Sequence, residues 1–204
     1  MIQNASVSFF DLQFQRQVAA GEHALNPFER AALAHLKGKL LDYGCGLGNL
    51  ALEAARRGQS VLALDASSAA IAYLREAADK ESLPLKALEA DLRTFELTED
   101  FDSVVCIGLL MFFDCPTAHA QLQALQARVR PGGVLVLNVL TQGTTYMDMF
   151  SPQGHCLFAP EELRDSFRSW EIVSLTRDEF AAPANTTKVF ATVIARKPAQ
   201  GGDA

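Results

Sequence analysis

The stretch LLDYGCGLGNLALEAARRG, residues 40–58, places three glycines between a short apolar run and a segment rich in helix-forming residues. Lys39–Tyr43 predicts a β-strand, and Asn49–Arg57 predicts a helix that ends at Gly58. The three glycines fall in the turn between them, where backbone without a Cβ can come close to a bound molecule. The stretch therefore predicts the first strand, the ligand-binding loop and the first helix of an α/β sheet.

The same alternation of apolar runs and helix-like stretches continues along the chain and predicts an α/β fold. Ser67 or Ser68 is placed to cap the helix after the second strand. Two further strands end the chain, and because a short loop without a helix joins them, they should be antiparallel. We expect a doubly wound, Rossmann-like sheet of about seven strands, mostly parallel, with a C-terminal antiparallel hairpin. The later strands are predicted at Ser60–Leu64, Pro84–Leu88, Asp102–Ile107, Val134–Leu140, Trp170–Thr176 and Lys188–Ala195, and the later helices at 69–81, Thr117–Val129 and 160–167.

The chain has 204 residues, of which 49% are hydrophobic and 21% charged, enough for one domain with a full core. The predicted organisation is an N-terminal helical flap (1–36), a sheet-containing domain (37–197) and a flexible tail (198–204). The N-terminal segment lacks the features of a secretory signal, and no apolar run is long enough to span a membrane. The net charge is −6, and the basic residues are scattered. We therefore expect a cytoplasmic protein with no nucleic-acid or membrane partner.

The four cysteines are Cys45, Cys106, Cys115 and Cys156, and none forms a C-x-x-C pair. Two lie inside apolar stretches, where cysteine behaves as a small hydrophobic residue. We expect reduced thiols, with no metal site and no disulfide.

Carboxylates around the glycine loop indicate an adenosine-type ligand. Asp65 ends the second predicted strand, where it can accept hydrogen bonds from ribose hydroxyls. A dinucleotide fingerprint has a sixth-position glycine, and Asn49 stands there instead. Asp42 would repel a pyrophosphate but suits the ammonium and sulfonium cations of S-adenosylmethionine. Asp91, after the third strand, can accept a hydrogen bond from the adenine amino group, although a turn-capping role would also explain it.

Five segments carry a resemblance to a known family. They are LLDYGCGLG (40–48), LALD (62–65), EADL (89–92), FDSVVCIG (101–108) and RPGGVLVL (130–137). In this order they resemble the signature positions of class I S-adenosylmethionine-dependent methyltransferases. Three further segments are similar to the TehB-type, or tellurite-resistance, branch of small-molecule methyltransferases: LLMFF (109–113), FAPEELRDSFRSWEIV (158–173) and VFATVIARK (189–197).

The resemblance implies that the cofactor is S-adenosyl-L-methionine and places its binding site at the strand ends. Asp42 and the glycine loop would hold the methionine part, Asp65 the ribose, and Asp91 with Leu92 the adenine edge. The backbone at the end of the fourth strand would line the methyl donor. The full predicted set is Asp42, Gly44, Cys45, Gly46, Gly48, Asp65, Ala66, Asp91, Leu92, Cys106, Ile107 and Gly108.

The implied activity is methyl transfer to a small molecule, with a chalcogen oxyanion or a thiol as the candidate acceptor. Such nucleophiles need no general base at the transfer step, and no catalytic residue is identified. The D/N-P-P-Y/F loop of nucleic-acid amino-methylating enzymes is replaced by the apolar segment 108–113. A nicotinamide-dependent oxidoreductase and a non-catalytic cofactor-binding protein of the same fold are the alternatives.

The side of the site that would bind the acceptor is less clearly marked. Arg177 lies where the TehB-type resemblance places basic residues, but the histidine that the family carries beside its arginine is missing here. For every residue proposed to face the acceptor, a surface or packing role is an equal alternative. These residues are Phe10, Arg16, His23, Phe112, His155 and Arg177.

Overall fold

Helices and strands alternate through the part of the chain that the computed structural model describes, which is residues 5–21, 24–151 and 154–199. The helices are α1 (Ala5–Ala20), α2 (Pro27–Leu33), α3 (Asn49–Arg56), α4 (Ser68–Lys80), α5 (Cys115–Ala127) and α6 (Pro160–Asp165). The strands are β1 (Leu40–Tyr43), β2 (Val61–Asp65), β3 (Leu85–Glu89), β4 (Phe101–Ile107), β5 (Val129–Leu140), β6 (Glu171–Ala182) and β7 (Thr186–Arg196). Leu110–Phe112 and Pro183–Asn185 form short 3-10 turns.

The described strands form a seven-stranded sheet in the order β3-β2-β1-β4-β5-β7-β6. The pairs among β1 to β5 are parallel, and β7 runs antiparallel to both β5 and β6. This confirms the predicted α/β class, the mostly parallel Rossmann-like sheet and its C-terminal hairpin. The strand order reverses between β1 and β4, so the carboxyl ends of these two strands flank the switch point where such sheets bind ligands.

Helices cover both faces of the sheet. Successive residues of a strand point to opposite faces, so each strand contributes side chains to two buried clusters. On one face Leu41 and Tyr43 of β1 pack in a buried cluster that includes Leu122 of α5. On the other face Leu40 packs in a cluster that includes Ile71 of α4. The sheet is thus held rigidly between two helical layers, which fixes the positions of the strand ends.

Strands β5 and β6 are longer than their sequence patterns predict. Residues 130–133, which precede the predicted strand Val134–Leu140, are part of β5, and the register of β5 against β4 shifts between Phe101 and Ser103. Strand β6 continues to Ala182 through the charged residues 177–179, which pair with β7. Charged residues are tolerated there because β6 is an edge strand.

The structure corrects the prediction that all cysteines are reduced. Cys115, the first residue of α5, forms a disulfide with Cys156 in the segment between β5 and α6, with a Cα–Cα distance of 4.7 Å. The backbone N–H of Cys156 also donates to the carbonyl of Met111 at 3.0 Å. The two cysteines are 41 residues apart and meet only because β5 returns the chain to the end of β4, which no local pattern reveals. Cys45 and Cys106 are free and buried.

Helix α1 packs against α4 and lies over the carboxyl edge of the sheet. The Ser67 hydroxyl, which caps α4 by accepting the Ala70 N–H at 3.1 Å, donates to the carboxylate of Asp11 on α1. The predicted division into flap, domain and tail stays a prediction, and residues 200–204 of the tail lie outside the described part. No helix in the described ranges combines the length and apolar character that crossing a membrane requires.

Candidate functional site

A cavity of about 880 Å³ opens at the carboxyl ends of β1, β2 and β4, beneath α1. It lies at the switch point of the sheet, as the doubly wound fold predicts. All the predicted cofactor-binding residues line it except Cys106, which is fully buried in the apolar cluster beside α5. The strand ends therefore bring together residues that are far apart in the sequence.

The glycine loop forms the floor of this cavity. Gly48 begins α3 in the left-handed region, with φ +72°, and a Cβ there would lie 2.5 Å from Leu74. Gly44 also has a positive φ, +82°, and a Cβ would meet Leu109 at 2.8 Å. Any other residue at these two positions would strain the backbone and displace neighbouring side chains. The loop thus presents backbone, without side chains, to whatever occupies the cavity.

Asp65 holds the glycine loop from the end of β2. Its Oδ2 accepts the Gly46 N–H at 2.8 Å, and its Oδ1 accepts the Ser67 N–H at 2.9 Å. Burial raises the pKa of the Asp65 carboxyl, and these backbone N–H groups act in the opposite direction. Because a carboxylate oxygen can accept more than one hydrogen bond, both oxygens keep capacity for the hydroxyls of a bound ribose.

Asp42 is the most deeply placed carboxylate in the cavity, with 4% of its surface exposed. Burial, and then the negative charges of Glu29 and Asp65, raise its pKa from 3.8 to about 8. A buried carboxylate with this pKa is stabilised by a nearby cation, which offsets the lost hydration of its charged form. The position therefore suits the positively charged methionine part of S-adenosylmethionine.

Glu29 is a cavity residue that the sequence analysis did not identify. It lies on α2, where its side chain accepts the Asn26 N–H at 2.7 Å while the Asn26 side chain accepts the Glu29 N–H at 2.9 Å. Burial raises the pKa of Glu29. The capping pattern Asn26-Pro27-x-Glu29 is a readable helix start, but only the fold shows that the helix turns this carboxylate toward Asp42.

Asp91 lines the cavity but is already bound by a neighbouring side chain. The Arg93 guanidinium donates from Nε to Oδ1 at 2.8 Å and from Nη2 to Oδ2 at 2.6 Å. This pairing lowers the pKa of Asp91. The backbone next to Asp91 is held by the Tyr43 hydroxyl of β1, which donates to the Leu92 carbonyl at 2.6 Å. The predicted role of Asp91 in reading adenine stays a prediction, and Arg93 is a further candidate at that end.

The opposite half of the cavity is apolar. Phe10 of α1 packs edge-on against Phe112 with the ring centres 5.0 Å apart. Leu140 and Met149 complete the buried cluster around Phe112. Cavity-facing residues of α1 recur at helical spacing, at positions 10, 13, 14 and 17, so this helix covers the site with one face. Phe10 and Phe112 thus line the cavity, and their predicted contact with the acceptor stays a prediction.

Three predicted acceptor-side residues lie outside this cavity. Arg16 is exposed, because it does not lie on the face of α1 that lines the cavity. His155 is exposed and stacks on Phe150 with the ring centres 4.9 Å apart. Arg177 pairs with Glu179 and lines a separate cavity of about 580 Å³, because β7 lies between β6 and the site. His23 lies outside the described residues.

Two polar residues on the apolar side were missed from the sequence, Asn138 of β5 and Lys188 of β7. The signal for Asn138 is a single amide inside the otherwise apolar run VLVLNVL, residues 134–140. Lys188 has no comparable signal, because a lysine near the start of a strand is ordinary.

The residues present fit S-adenosylmethionine. Three carboxylates, from Glu29, Asp42 and Asp65, surround the cavity next to a loop of bare backbone. Their charges complement the ammonium and sulfonium groups, and Asp65 is placed for ribose. Because these carboxylates would repel the negative charges of a pyrophosphate, the same site is poorly suited to a dinucleotide.

Comparison with known proteins supports this assignment. A family model described as a methyltransferase domain matches residues 40–133. The chain is 31% identical over 166 residues to hemagglutinin 1 of Eikenella corrodens, a match that covers 78% of this chain and 55% of that protein. It is 26% identical over 166 residues to a probable S-adenosyl-L-methionine-dependent methyltransferase TehB of Haemophilus influenzae, covering 78% of this chain and 57% of that protein.

The fold also matches a solved structure. The crystal structure of TehB from Haemophilus influenzae aligns with a TM-score of 0.75 at 22% identity, covering 89% of this chain and 65% of that chain. The chain spans little more than half the length of the curated relatives named above. A methyltransferase domain thus matches residues 40–133, and the sheet order, the carboxylate-lined cavity and these matches support a class I S-adenosylmethionine-dependent methyltransferase similar to the TehB type.

Proposed function

We propose that the protein transfers a methyl group from S-adenosylmethionine to a small molecule with an apolar body, whose nucleophile is a thiol or a chalcogen oxyanion. The observation that carries this proposal is the division of one cavity into two halves. The carboxylates Glu29, Asp42 and Asp65 line the first half, and the cluster around Phe112 lines the second. The halves meet at Ile107 and Gly108, at the end of β4.

The chemistry requires alignment more than acid–base catalysis. When bound, the cofactor supplies a methyl group activated by its attachment to a sulfonium. The nucleophile of the acceptor would form a bond to the methyl carbon as the carbon–sulfur bond breaks, the cofactor sulfur would keep the electron pair, and a thiol acceptor would release its proton to water. Glu29 and Asp42 balance the positive charge before transfer, and α1 excludes water from above. Such alignment of the nucleophile with the methyl group can lower the activation free energy of the transfer by about 7–11 kcal/mol.

The lining of the cavity supports a nucleophile that is already anionic or easily ionised. Among the described residues, no histidine or tyrosine lines this cavity, and the carboxylates Glu29, Asp42 and Asp65 lie in the half proposed for the cofactor. An alcohol acceptor would need a general base at the transfer step, whereas a thiolate or an oxyanion does not. The displacement of Arg177 from the site removes the residue that the TehB-type resemblance offered for tellurite, so the thiol is the better supported acceptor.

A cytoplasmic location and the absence of a nucleic-acid partner stay predictions from the sequence. The Cys115–Cys156 disulfide bears on the first, because disulfides are uncommon in reducing compartments. Cell fractionation followed by alkylation of free thiols tests the location, and a redox-sensitive Cys115–Cys156 pair is expected if the protein is cytoplasmic.

A transfer assay with labelled S-adenosylmethionine tests the proposed activity. Thiols, selenite, tellurite, quinols and small amines serve as acceptors, and the label is followed into the product. We expect the thiols to be methylated. Labelling of amines or quinols alone would show that the acceptor class is wrong. Tight binding of S-adenosylhomocysteine without transfer to any acceptor would favour the non-catalytic alternative, and tight binding of NADH instead would favour the oxidoreductase.

A further inference from the structure

We propose that the methyl acceptor is an elongated organic acid, with a polar nucleophilic end beside Asn138 and an anionic group at Lys188. This inference rests on the proposed methyl transfer and specifies the molecule that receives the methyl group. Three features of one wall of the cavity carry it: an amide oxygen at the inner end and an ammonium group at the outer end, which lack a hydrogen-bond and an ion-pair partner respectively among the described residues, and an apolar stretch between them.

Asn138 provides the inner end. The residue is 1% exposed and lines the cavity, and its Nδ2 donates to Thr192 Oγ1 at 2.9 Å. Its Oδ1 is buried without a hydrogen-bond partner among the described residues. An unsatisfied buried acceptor is costly, so a ligand whose neutral thiol donates its S–H to Oδ1 gains affinity, and that proton leaves to water when the thiolate forms. Asn138 is also paired across the sheet with Ile107, beside the place where the two halves of the cavity meet. The amide is therefore positioned next to the site of methyl transfer.

The apolar stretch follows along β5 and β7. Leu140 lies two residues beyond Asn138 on the same face of β5, and Phe190 lies opposite Leu140 on β7. Both residues line the cavity. Phe28 of α2 packs on Phe190 with the ring centres 5.1 Å apart and closes this side. A ligand that extends from Asn138 along this wall therefore contacts the apolar side chains of Leu140 and Phe190.

Lys188 provides the outer end. Lys188 is two residues beyond Phe190 and on the same face of β7, since side chains alternate along a strand. Its Nζ lies 4.7 Å from the centre of the Tyr146 ring. Within the described part of the chain it has no ion-pair partner, unlike Arg177 on the neighbouring strand, which pairs with Glu179. A cation in the lining of a partly apolar cavity is suited to a carboxylate or another anionic group of the ligand.

The spacing sets the length of the acceptor. Thr192, which holds Asn138, and Lys188 are four residues apart on one strand. At a rise of about 3.3 Å per residue, the two ends are separated by roughly 13 Å. A free oxyanion such as selenite would contact only one end. A thiol carried on a chain of about eight carbons and ending in a carboxylate would reach both.

The test uses a graded series of thiol acceptors with the full-length protein. Mercaptoacetate, mercaptohexanoate and mercapto-octanoate differ in length, and the amide of mercapto-octanoate lacks the charge. We expect mercapto-octanoate to have the highest kcat/KM and its amide to lose about tenfold to hundredfold, mostly in KM, as expected for the loss of a charge-assisted hydrogen bond. Calorimetry with octanoate, which cannot be methylated, on the complex with S-adenosylhomocysteine gives a second readout that does not depend on activity.

Variants separate the two ends of the acceptor. Lys188→Met should remove the preference for the acid over the amide, Lys188→Arg should restore it, and Arg177→Met is the matched control outside the cavity. Asn138→Ala should lower kcat about tenfold for every thiol, and Asn138→Ser should recover part of it by keeping an oxygen there. Unchanged affinity for S-adenosylhomocysteine verifies that each variant is folded.

The outcomes distinguish this inference from the proposed function. If thiols are methylated but the acid and its amide react equally well, and Lys188→Met changes neither, the elongated acid is wrong while methyl transfer stands. If no thiol is methylated and S-adenosylhomocysteine does not bind, both proposals fail.

Discussion

The carboxylate of Asp65 accepts a hydrogen bond from the backbone N–H of Gly46 at 2.8 Å, which ties the end of β2 to the glycine loop that follows β1. The proposed site thus gives one side chain two tasks, since the carboxylate that orients the loop is also the group predicted to bind ribose. Removing the Asp65 carboxylate should therefore weaken cofactor binding in two ways. The hydrogen bonds to the cofactor are lost, and the glycine loop is no longer held in place.

Asp65→Ala is expected to weaken binding of S-adenosylhomocysteine by about 1.5–3 kcal/mol, the cost of losing hydrogen bonds to a charged group. Isothermal titration calorimetry measures the change. Glu89→Ala is the matched control, because Glu89 lies opposite Asp65 in the register of β3 but does not line the cavity. Equal affinities for Asp65→Ala and the unaltered protein would remove Asp65 from the binding site.

Cofactor affinity should depend on pH through Asp42. The pKa of its carboxyl is raised to about 8, so below this pH the carboxyl of the free protein is protonated. Binding the ammonium group requires the charged form and therefore releases a proton, so the affinity falls by up to about tenfold for each pH unit between roughly pH 8 and pH 6. Titrations at several pH values should show this slope, and Asp42→Asn should abolish it. A flat profile in the unaltered protein would contradict the assignment.

The same carboxyl should lower the stability of the free protein at high pH. Its pKa is 3.8 when unfolded and about 8 when folded, so the folded state binds more protons between these values. Stability from this group is therefore present below about pH 4 and lost as the pH rises through about 8.

Urea denaturation without ligand tests this linkage. Asp42→Asn should be more stable than the unaltered protein at about pH 8 by an amount that shrinks toward about pH 5. Asp79→Asn, at an exposed position on α4, is the control. If Asp42→Asn is destabilised equally at both pH values, burial of the Asp42 charge is not a cost to folding.

The Cys115–Cys156 disulfide should contribute to stability by restricting the unfolded chain. It closes a loop of 41 residues between the start of α5 and the segment after β5. Reduction, or the double substitution Cys115→Ser and Cys156→Ser, is expected to lower the free energy of unfolding by about 2–4 kcal/mol. Alkylation under denaturing conditions should label only Cys45 and Cys106 unless a reductant is added. Labelling of all four without reductant would show that the bond is absent.

Local patterns were sufficient to predict the sheet and most of the residues that line the cavity at the ends of β1, β2 and β4. Strand, glycine loop and helix follow one another within residues 40–58, and the next strand, β2, ends at the carboxylate of Asp65. Because parallel strands align their carboxyl ends, residues that end separate strands are brought together without any knowledge of side-chain packing. This is why nearly all the predicted cofactor residues line one cavity.

The acceptor half depends on contacts that no local pattern encodes. Arg177 was misplaced because the insertion of β7 between β5 and β6 is a property of the sheet order and moves β6 to the edge. In the cofactor half, Glu29 likewise reaches the cavity only through the packing of α2. Asn138 differs from its apolar neighbours in sequence, but the missing partner of its Oδ1 appears only in three dimensions.

The central claim is that the carboxylate-lined cavity binds S-adenosylmethionine and not a dinucleotide. Calorimetric titration of the free protein at about pH 8 with S-adenosylhomocysteine and, separately, with NADH tests it most directly, at the pH where Asp42 becomes charged. We predict one S-adenosylhomocysteine bound per chain with micromolar affinity and no heat of binding from NADH. Saturable binding of NADH, with no binding of S-adenosylhomocysteine at millimolar concentration, would contradict it.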